Sequence, residues 1–288
     1  MSQSPIHLRP KAKRTFHWEE PTSSGKPRPP RRQGKKLRPW MRQTALALAL
    51  CLLTGCYAML PPESAATAVA APKRELPVYS VERSDDVIAV TFDASWGADN
   101  TPKLLDILDE YNAKCTFFLV GIWVDKYPEM VKAIVERGHE IGNHSATHPH
   151  MSQISEAKNL EELRIMSDKV ENLTGVRPTL FRPPYGDYNN KVIRTARGAG
   201  YEAVQWSVDS LDWKNISPQD MIRRAGKVGR GDIILFHNDS QYLLDALPTL
   251  LQSYQDQGLQ MVKVSDLLLT GETTIDVQGK QHPIAAKE

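Results

Sequence analysis

Short apolar runs alternate with helical patterns between residues 86 and 270. Seven runs are apolar or β-branched and bounded by turn residues, which is typical of buried strands: residues 87–92, 115–120, 139–143, 179–181, 201–208, 232–236 and 259–264. Apolar residues at helical spacing predict helices between them, over residues 100–111, 128–137, 155–173, 190–199, 218–228 and 243–254. Strands that alternate with helices indicate a mostly parallel sheet.

The number of strand–helix repeats narrows the fold class. About seven repeats, with no Gly-x-Gly-x-x-Gly turn after the first strand, favour a distorted, closed or nearly closed β/α barrel over a dinucleotide-binding sheet. The predicted domain, residues 86–270, is long enough to bury roughly 70% of its unfolded surface. Residues 271–288 are polar and are predicted to form a frayed tail.

Charge and hydropathy change sharply before the barrel. Residues 1–42 hold twelve Lys or Arg against two Asp or Glu and are rich in proline, which predicts a disordered basic tail. Residues 43–60 carry no charge and are predicted to form a membrane segment or signal anchor, about 25 Å long as a helix against a bilayer core of about 30 Å. The positive-inside rule then places the tail in the cytoplasm, residues 61–85 outside the membrane as a linker, and the barrel beyond them.

Other interpretations of the N-terminal region stay open. The apolar segment could be removed by cleavage, or Cys56 could carry a lipid, because the residues before it resemble a lipoprotein signal. A basic tail could also bind nucleic acid. A membrane segment separates that tail from the barrel, however, so we expect no nucleic-acid partner for the barrel. Only Cys115 follows the segment, so no disulfide within the domain is predicted.

Four of the eight histidines lie within residues 139–150. His144 and His148 are four residues apart, so a single helical turn would place both rings on one face, where they could reach one cation. Pro149 limits any helix here to one turn. Taken alone, this stretch could also be a polar loop that is rich in histidine and binds no metal.

Polar side chains follow five of the predicted strands directly. Asp93 follows the first strand, His144 and His148 the third, and Arg182, Asp209 and His237 follow later ones. The carboxyl ends of parallel strands share one face of a barrel, and active sites are found on that face. The sequence therefore predicts an active site built from these residues.

These residues resemble the motifs of the polysaccharide deacetylases, the family that shares the NodB homology domain. The five motifs, in order, are residues 91–93 (TFD), 144–148 (HSATH), 182–186 (RPPYG), 209–213 (DSLDW) and 235–237 (LFH). The resemblance covers about residues 86–269 and implies a distorted (β/α)7 barrel that removes acetyl groups from N-acetylated glycans with a divalent metal. The DASWG version of the first motif resembles a membrane-anchored, sporulation-associated branch from Gram-positive bacteria.

The resemblance also implies roles for the residues around the metal. His144 and His148 would hold a divalent cation, which the resemblance implies to be zinc. Asp93 would take a proton from the attacking water, and Arg182 would hold Asp93. The implied substrate is an acetylated cell-wall glycan resembling peptidoglycan.

A second group of residues would act on the leaving amine and the acetyl group. His237 would protonate the departing nitrogen, and Asp209 would orient His237. The backbone N–H of Tyr185 would face the oxyanion. Trp213 and Leu235 would form the wall of the acetyl pocket, although Trp213 could equally be an ordinary core residue.

One position departs from the family pattern. Ala94 stands where the first motif usually carries a second aspartate that binds the metal. Losing a charged ligand weakens a metal site, which leaves two alternatives to an amidase: a glycan-binding pseudoenzyme, or an O-acetyl esterase using the same site.

Overall fold

The computed structural model describes residues 43–44, 46–48, 50–52 and 74–284. The chain divides into two compact units, residues 1–70 and 71–288. The described residues of the first unit are helical with exposed side chains. Among all residues described, no helix is long and apolar enough to cross a membrane. The predicted basic tail and most of the predicted membrane segment lie outside the described residues.

The second unit alternates strands and helices as the sequence predicts. Its strands are β1 (Ser80–Val81), β2 (Val87–Ala94), β3 (Thr116–Leu119), β4 (Glu140–Asn143), β5 (Leu180–Phe181), β6 (Glu202–Ala203), β7 (Val208–Asp209), β8 (Ile233–His237), β9 (Gln260–Met261), β10 (Thr273–Ile275) and β11 (Lys280–Pro283). Its helices are α1 (Thr101–Glu110), α2 (Gly121–Lys126), α3 (Pro128–Glu136), α4 (Glu156–Thr174), α5 (Asn190–Gly198), α6 (Pro218–Ala225), α7 (Leu243–Asp256) and α8 (Val264–Leu267). The short helices α2 and α8 were not predicted.

The main sheet is a curled, parallel half-barrel with the strand order β6-β5-β4-β3-β2-β8-β7, and β9 pairs with the beginning of β2. This arrangement is consistent with a (β/α)7 barrel. The prediction of one strand over residues 201–208 is wrong, because β6 and β7 lie at opposite edges of the sheet. Only four residues separate these two edge strands, so the edges curl toward each other.

Strand β2 is buried on both faces, as expected for a central parallel strand. Its side chains alternate: Phe92 packs with the apolar cluster beneath the helices, whereas Ala89 packs with a second cluster that includes Phe118 and Ile233. Thr91 and Asp93 continue the face of Ala89, so this inner face becomes polar toward the carboxyl end of β2. Asp93, the first of the predicted active-site residues, lies where this inner face becomes polar.

The segments that flank the half-barrel differ from their predictions. Residues 271–284, expected to be a frayed tail, form the antiparallel hairpin β10–β11, and β11 pairs in parallel with β1. Residues 78–81, expected to be part of a linker, belong to the fold as well, because Val78 pairs with Val204 and Ser80 with Asp232. Hydropathy did not reveal these elements because they are too short to show a periodic pattern, although Val78 and Val81 are completely buried in the second apolar cluster.

His282 joins this hairpin to the segment after β1. Its Nδ1 lies 2.7 Å from Glu82 Oε2, and its Nε2 lies 3.1 Å from Asp276 Oδ2. The hydrogen bonds to Glu82 and then to Asp276 raise the pKa of His282 above its usual value. The stability that the bridge contributes is therefore complete below the ordinary imidazole pKa of about 6.5 and is lost as the pH rises through the higher folded value.

We expect His282→Gln to lower the thermal midpoint at pH 5.5 by a few degrees or less and to lower it less at pH 9, where less of the wild-type imidazole is protonated. Thermal unfolding of both proteins at the two pH values measures this. Val277→Ala, an exposed change in the same hairpin, is the control and should show no pH-dependent difference. An equal loss at both pH values would mean that the charge of His282 does not stabilise the hairpin.

Candidate active site

Asp93 and His237 face each other across neighbouring strands. Asp93 is next to last in β2, His237 is the last residue of β8, and the two are paired in the register of the sheet. Both are on the inner face, where Asp93 is buried and His237 is largely buried. Sheet pairing therefore places a carboxylate and an imidazole side by side at the carboxyl end of the barrel.

Arg182 holds the Asp93 carboxylate. It follows β5 directly, is completely buried, and donates from Nη1 to Asp93 Oδ1 at 2.7 Å and to Thr91 Oγ1 at 2.9 Å. Its guanidinium also lies 4.0 Å from the centre of the Phe118 ring. Burial raises the pKa of Asp93, but the charge of Arg182, followed by weaker effects of His144 and His237, outweighs it and leaves that pKa below its usual value. Asp93 is therefore ionised at neutral pH.

The imidazoles of His144 and His148 converge beside Asp93. Their Nε2 atoms are 3.3 Å apart, and His144 Nε2 is 3.5 Å from Asp93 Oδ2. His144 Nδ1 donates to the backbone carbonyl of Arg182 at 2.7 Å. With its proton on Nδ1, His144 presents the lone pair of Nε2 to the site, which is the arrangement usual for a metal-binding histidine.

Both histidines are neutral. Burial lowers the pKa of His144 despite the nearby Asp93 carboxylate. Burial, reinforced by His144, lowers the pKa of His148 to about 4. Neutral imidazole is the form that binds metal ions.

The convergence of these rings comes from a loop and not from the helical turn that the spacing suggested. Ser145 and His148 have left-handed backbone conformations, with φ of 68° and 59°. The loop is fixed by hydrogen bonds from the Ser145 amide to Asn143 Oδ1 and from the Thr147 amide and hydroxyl to the buried Glu162. The spacing therefore predicted that the two rings converge, but a loop brings them together instead of a helical turn.

Two imidazoles fit a divalent cation as part of its ligand set. Within residues 74–284 and the helical residues before them, no three His, Cys, Asp or Glu side chains are arranged to hold a metal. Ala94, the last residue of β2, is fully buried and adds only a methyl group. The residues present supply two nitrogen ligands, and the family's third protein ligand is missing.

The side chain that orients His237 is Asp212, which corrects the prediction of Asp209. Asp212 Oδ1 is 2.8 Å from His237 Nδ1, and Asp212 Oδ2 accepts from the His237 amide at 2.7 Å. Asp209 instead accepts a hydrogen bond from the Leu211 amide. Both aspartates belong to the same motif, and three residues of sequence separation gave no signal for choosing between them.

Asp212 also determines the protonation of His237. Burial lowers the pKa of His237, but the hydrogen bond and the charge of Asp212 outweigh burial and leave that pKa above its usual value; Asp209 contributes a weaker effect in the same direction. Asp212 accepts a further bond from the Ser240 hydroxyl at 3.0 Å. His237 therefore has a fixed ring and a free Nε2 that can carry a proton.

The predicted substrate-binding residues lie around this centre. Tyr185 is 62% exposed, has φ of 60°, and its ring contacts His148 and His150 at 4.4 Å between centroids. Leu235 is buried two residues before His237 on the same face of β8. Trp213 is half exposed, which argues against an ordinary core role.

One aromatic residue near the site was missed. The Trp96 ring is stacked on the His237 ring, with centroids 5.2 Å apart and planes 21° apart. Its place in the DASWG segment, three residues after Asp93, was visible in the sequence, but nothing local indicated that it would contact His237.

Known proteins resemble this chain in sequence and in fold. The family model described as polysaccharide deacetylase matches residues 80–204. The chain is 38% identical over 196 residues to a peptidoglycan-N-acetylglucosamine deacetylase from Bacillus cereus, a match that covers 66% of this chain and 92% of the relative. A crystal structure of a peptidoglycan N-acetylglucosamine deacetylase has 31% identity and a TM-score of 0.65 over 67% of this chain and 93% of that one.

A second solved structure is a mutant of a CE4 family pseudoenzyme with restored enzymatic activity. It has 31% identity and a TM-score of 0.64, and the match covers 69% of this chain and 72% of that one. Active and inactive proteins therefore share this fold. From the family match and the extent of the Bacillus cereus relative, we conclude that this chain belongs to the polysaccharide deacetylase family.

Proposed function

We propose that this protein hydrolyses N-acetyl groups of peptidoglycan or a closely similar cell-wall glycan. The observation that carries the proposal is the pairing of Asp93 with His237 across β2 and β8. Arg182 holds Asp93, and Asp212 holds His237. The neutral imidazoles of His144 and His148 lie beside this pair. Amide hydrolysis needs a base for water and an acid for the leaving nitrogen. The named relatives support a peptidoglycan substrate.

Asp93 is the base in this proposal. Arg182 keeps its carboxylate ionised and directs one oxygen, Oδ1, so that Oδ2 is the oxygen that faces His144. Oδ2 accepts the proton of the attacking water. A divalent metal bound by His144 and His148 would acidify that water and polarise the acetyl carbonyl.

His237 is the acid. Asp212 accepts from its Nδ1, so Nε2 is the atom that gives a proton to the departing nitrogen. The carboxylate of Asp212 raises the pKa of His237 and so favours the protonated form that an acid needs. The Tyr185 amide remains the proposed donor to the oxyanion, and Trp213 and Leu235 the proposed wall of the acetyl pocket.

A glycan-binding pseudoenzyme is the second candidate. Ala94 and the incomplete set of metal ligands among the described residues favour it, and a structural neighbour is a restored mutant of a pseudoenzyme. In this case the protein would bind the glycan at the same site without hydrolysing it.

Release of acetate from purified peptidoglycan separates these functions. We expect the full-length protein to release acetate in the presence of Zn²⁺ or Co²⁺, and a chelator to lower the rate at least about tenfold because acidification of the water is lost. Asp93→Ala is the matched inactive control. No release, with retained binding to peptidoglycan, would support the pseudoenzyme; release only from material that still carries O-acetyl esters would indicate an esterase.

The proposal includes a place for the barrel outside the cell membrane. The support is the basic stretch of residues 1–42 before the uncharged stretch of residues 43–60. We propose that a single membrane segment anchors the protein in a bacterial cell membrane, and that the DASWG segment marks a role in sporulation.

Protease added to intact, wall-stripped cells tests this topology. It should digest the barrel and leave the N-terminal tail protected. Digestion of the tail with protection of the barrel would reverse the topology.

A further inference from the structure

Trp96 is a large apolar side chain that remains 47% exposed at the edge of the site. One face of its indole is stacked on His237 at 5.2 Å. Exposed single apolar residues are common on protein surfaces. An exposed indole in contact with the proposed general acid is a different case, because its free surface adjoins the reacting groups.

The loop that carries Trp96 is held in place. The carbonyl of Gly97 accepts from Trp123 Nε1 at 2.9 Å and from Asn238 Nδ2 at 2.8 Å. The amide of Asn100 donates to Asp239 Oδ1 at 2.9 Å. These bonds tie the loop after β2 to the loop after β8, so the position of the indole is determined by the fold.

Gly97 shows how closely the two loops approach. A Cβ atom at this position would lie 1.8 Å from Asp239 Oδ2, far inside contact distance. A larger residue would have to displace the Asp239 side chain, which accepts the hydrogen bond from the Asn100 amide. The indole lies over the imidazole where these two loops approach closely.

The stacked Trp96 ring and Asp212 restrict how a substrate can reach the Nε2 proton of His237. Asp212 occupies Nδ1, and Trp96 covers one face of the ring. A substrate must therefore meet the Nε2 edge, next to the exposed part of the indole. Sugar rings present C–H groups that pack against aromatic faces, and Trp is the residue that supplies the largest rigid surface for such contacts.

We propose that Trp96 is a substrate-contacting residue that packs against a sugar ring of the glycan beside the acetamido group. This contact makes the site select glycan chains over small acetyl compounds, which have no ring to cover the indole. The inference rests on the proposed function only in taking the ligand of the site to be an acetylated glycan. It does not require that the protein be an active hydrolase.

Binding of N-acetylglucosamine tetrasaccharide tests the inference without turnover. In full-length protein carrying Asp93→Ala, adding Trp96→Ala should weaken binding about three- to tenfold in calorimetry, and Trp96→Phe should weaken it less because an aromatic face remains. Leu160→Ala removes a similarly exposed apolar side chain on α4 and is the control, with unchanged binding. Thermal midpoints check that the variants are folded.

Kinetics on the otherwise wild-type protein supply a second measurement. Trp96→Ala should raise KM for the tetrasaccharide three- to tenfold and should raise KM for N-methylacetamide, an acetyl compound without a ring, much less. Acetate release without any Trp96 effect on binding or KM would overturn the inference and leave the proposed function standing. Trp96-dependent binding by a protein that releases no acetate would support the inference and refute the proposed hydrolysis. A folded protein that binds no tetrasaccharide would overturn the inference.

Discussion

Replacing His237 with alanine should lower the rate of acetate release roughly 10²- to 10⁴-fold, the range that general acids contribute. The leaving nitrogen would then depart without a proton from Nε2. His237 lies at the end of β8 with a largely buried ring, and Asp212 holds it in place. Acetate release by the folded variant, with peptidoglycan as substrate, measures the loss.

Asp209 and Asp212, the two aspartates of the fourth motif, provide a matched comparison for this test. Asp212→Asn should lower the rate roughly tenfold or more, because both Asp212 oxygens accept hydrogen bonds, whereas an amide has one acceptor oxygen and no charge to stabilise the imidazolium. It should also move the basic limb of the pH–rate profile to lower pH, since Asp212 raises the pKa of His237 and the acid must be protonated. Asp209→Asn is the matched control and should shift the limb much less.

A His237→Ala variant that is folded and retains the wild-type rate would contradict the assignment of the acid. Equal effects of Asp212→Asn and Asp209→Asn on the pH profile would show that the 2.8 Å hydrogen bond between His237 and Asp212 does not govern the protonation of His237. Thermal midpoints of each variant exclude unfolding as the cause.

Ala94→Asp should tighten Zn²⁺ binding at least about tenfold. At an effective dielectric constant near 20, a unit charge about 4 Å from another contributes roughly 4 kcal/mol before desolvation, and a third of that is about tenfold in affinity. Ala94 is fully buried among apolar side chains at the end of β2. An unpaired carboxylate is costly in such surroundings, which favours its turning toward a dication held by the neighbouring histidines.

Calorimetry or competition with a chelator measures this change. His144→Ala should abolish binding with either residue at position 94, which makes it the control for the site. Unchanged affinity together with a lower thermal midpoint would show that the new carboxylate stays in the apolar cluster. Position 94 would then not contribute to the metal site of this protein.

The sequence by itself determined the parallel β/α architecture and indicated which polar residues lie at the carboxyl ends of its strands. Most strands of the half-barrel lie within short apolar runs bounded by turn residues, and that pattern is local. Asp93, Arg182 and His237 follow strands directly, so the rule that parallel strands end on one face brought them together without coordinates. The same reasoning predicted that His144 and His148 lie near Asp93, as they do in the structure.

Only the tertiary structure decided which of these residues touch. The choice of Asp212 over Asp209 depends on how the loop after β7 turns beside β8, and no pattern of hydrophobic and polar residues encodes a turn of that kind. The convergence of His144 and His148 depends on left-handed conformations at Ser145 and His148. Loops of this kind are held by hydrogen bonds to distant residues such as Glu162.

Contacts between distant segments also explain why the sequence did not predict the hairpin β10–β11 or the position of Trp96. The hairpin β10–β11 has few apolar residues and is held by backbone pairing with β1, about 200 residues earlier in the chain. Trp96 lies on His237 where hydrogen bonds from Asn238 and to Asp239 join two loops, although 141 positions separate the two rings in sequence. Periodicity reports how a segment is buried, whereas contacts between distant segments are decided when the whole chain packs.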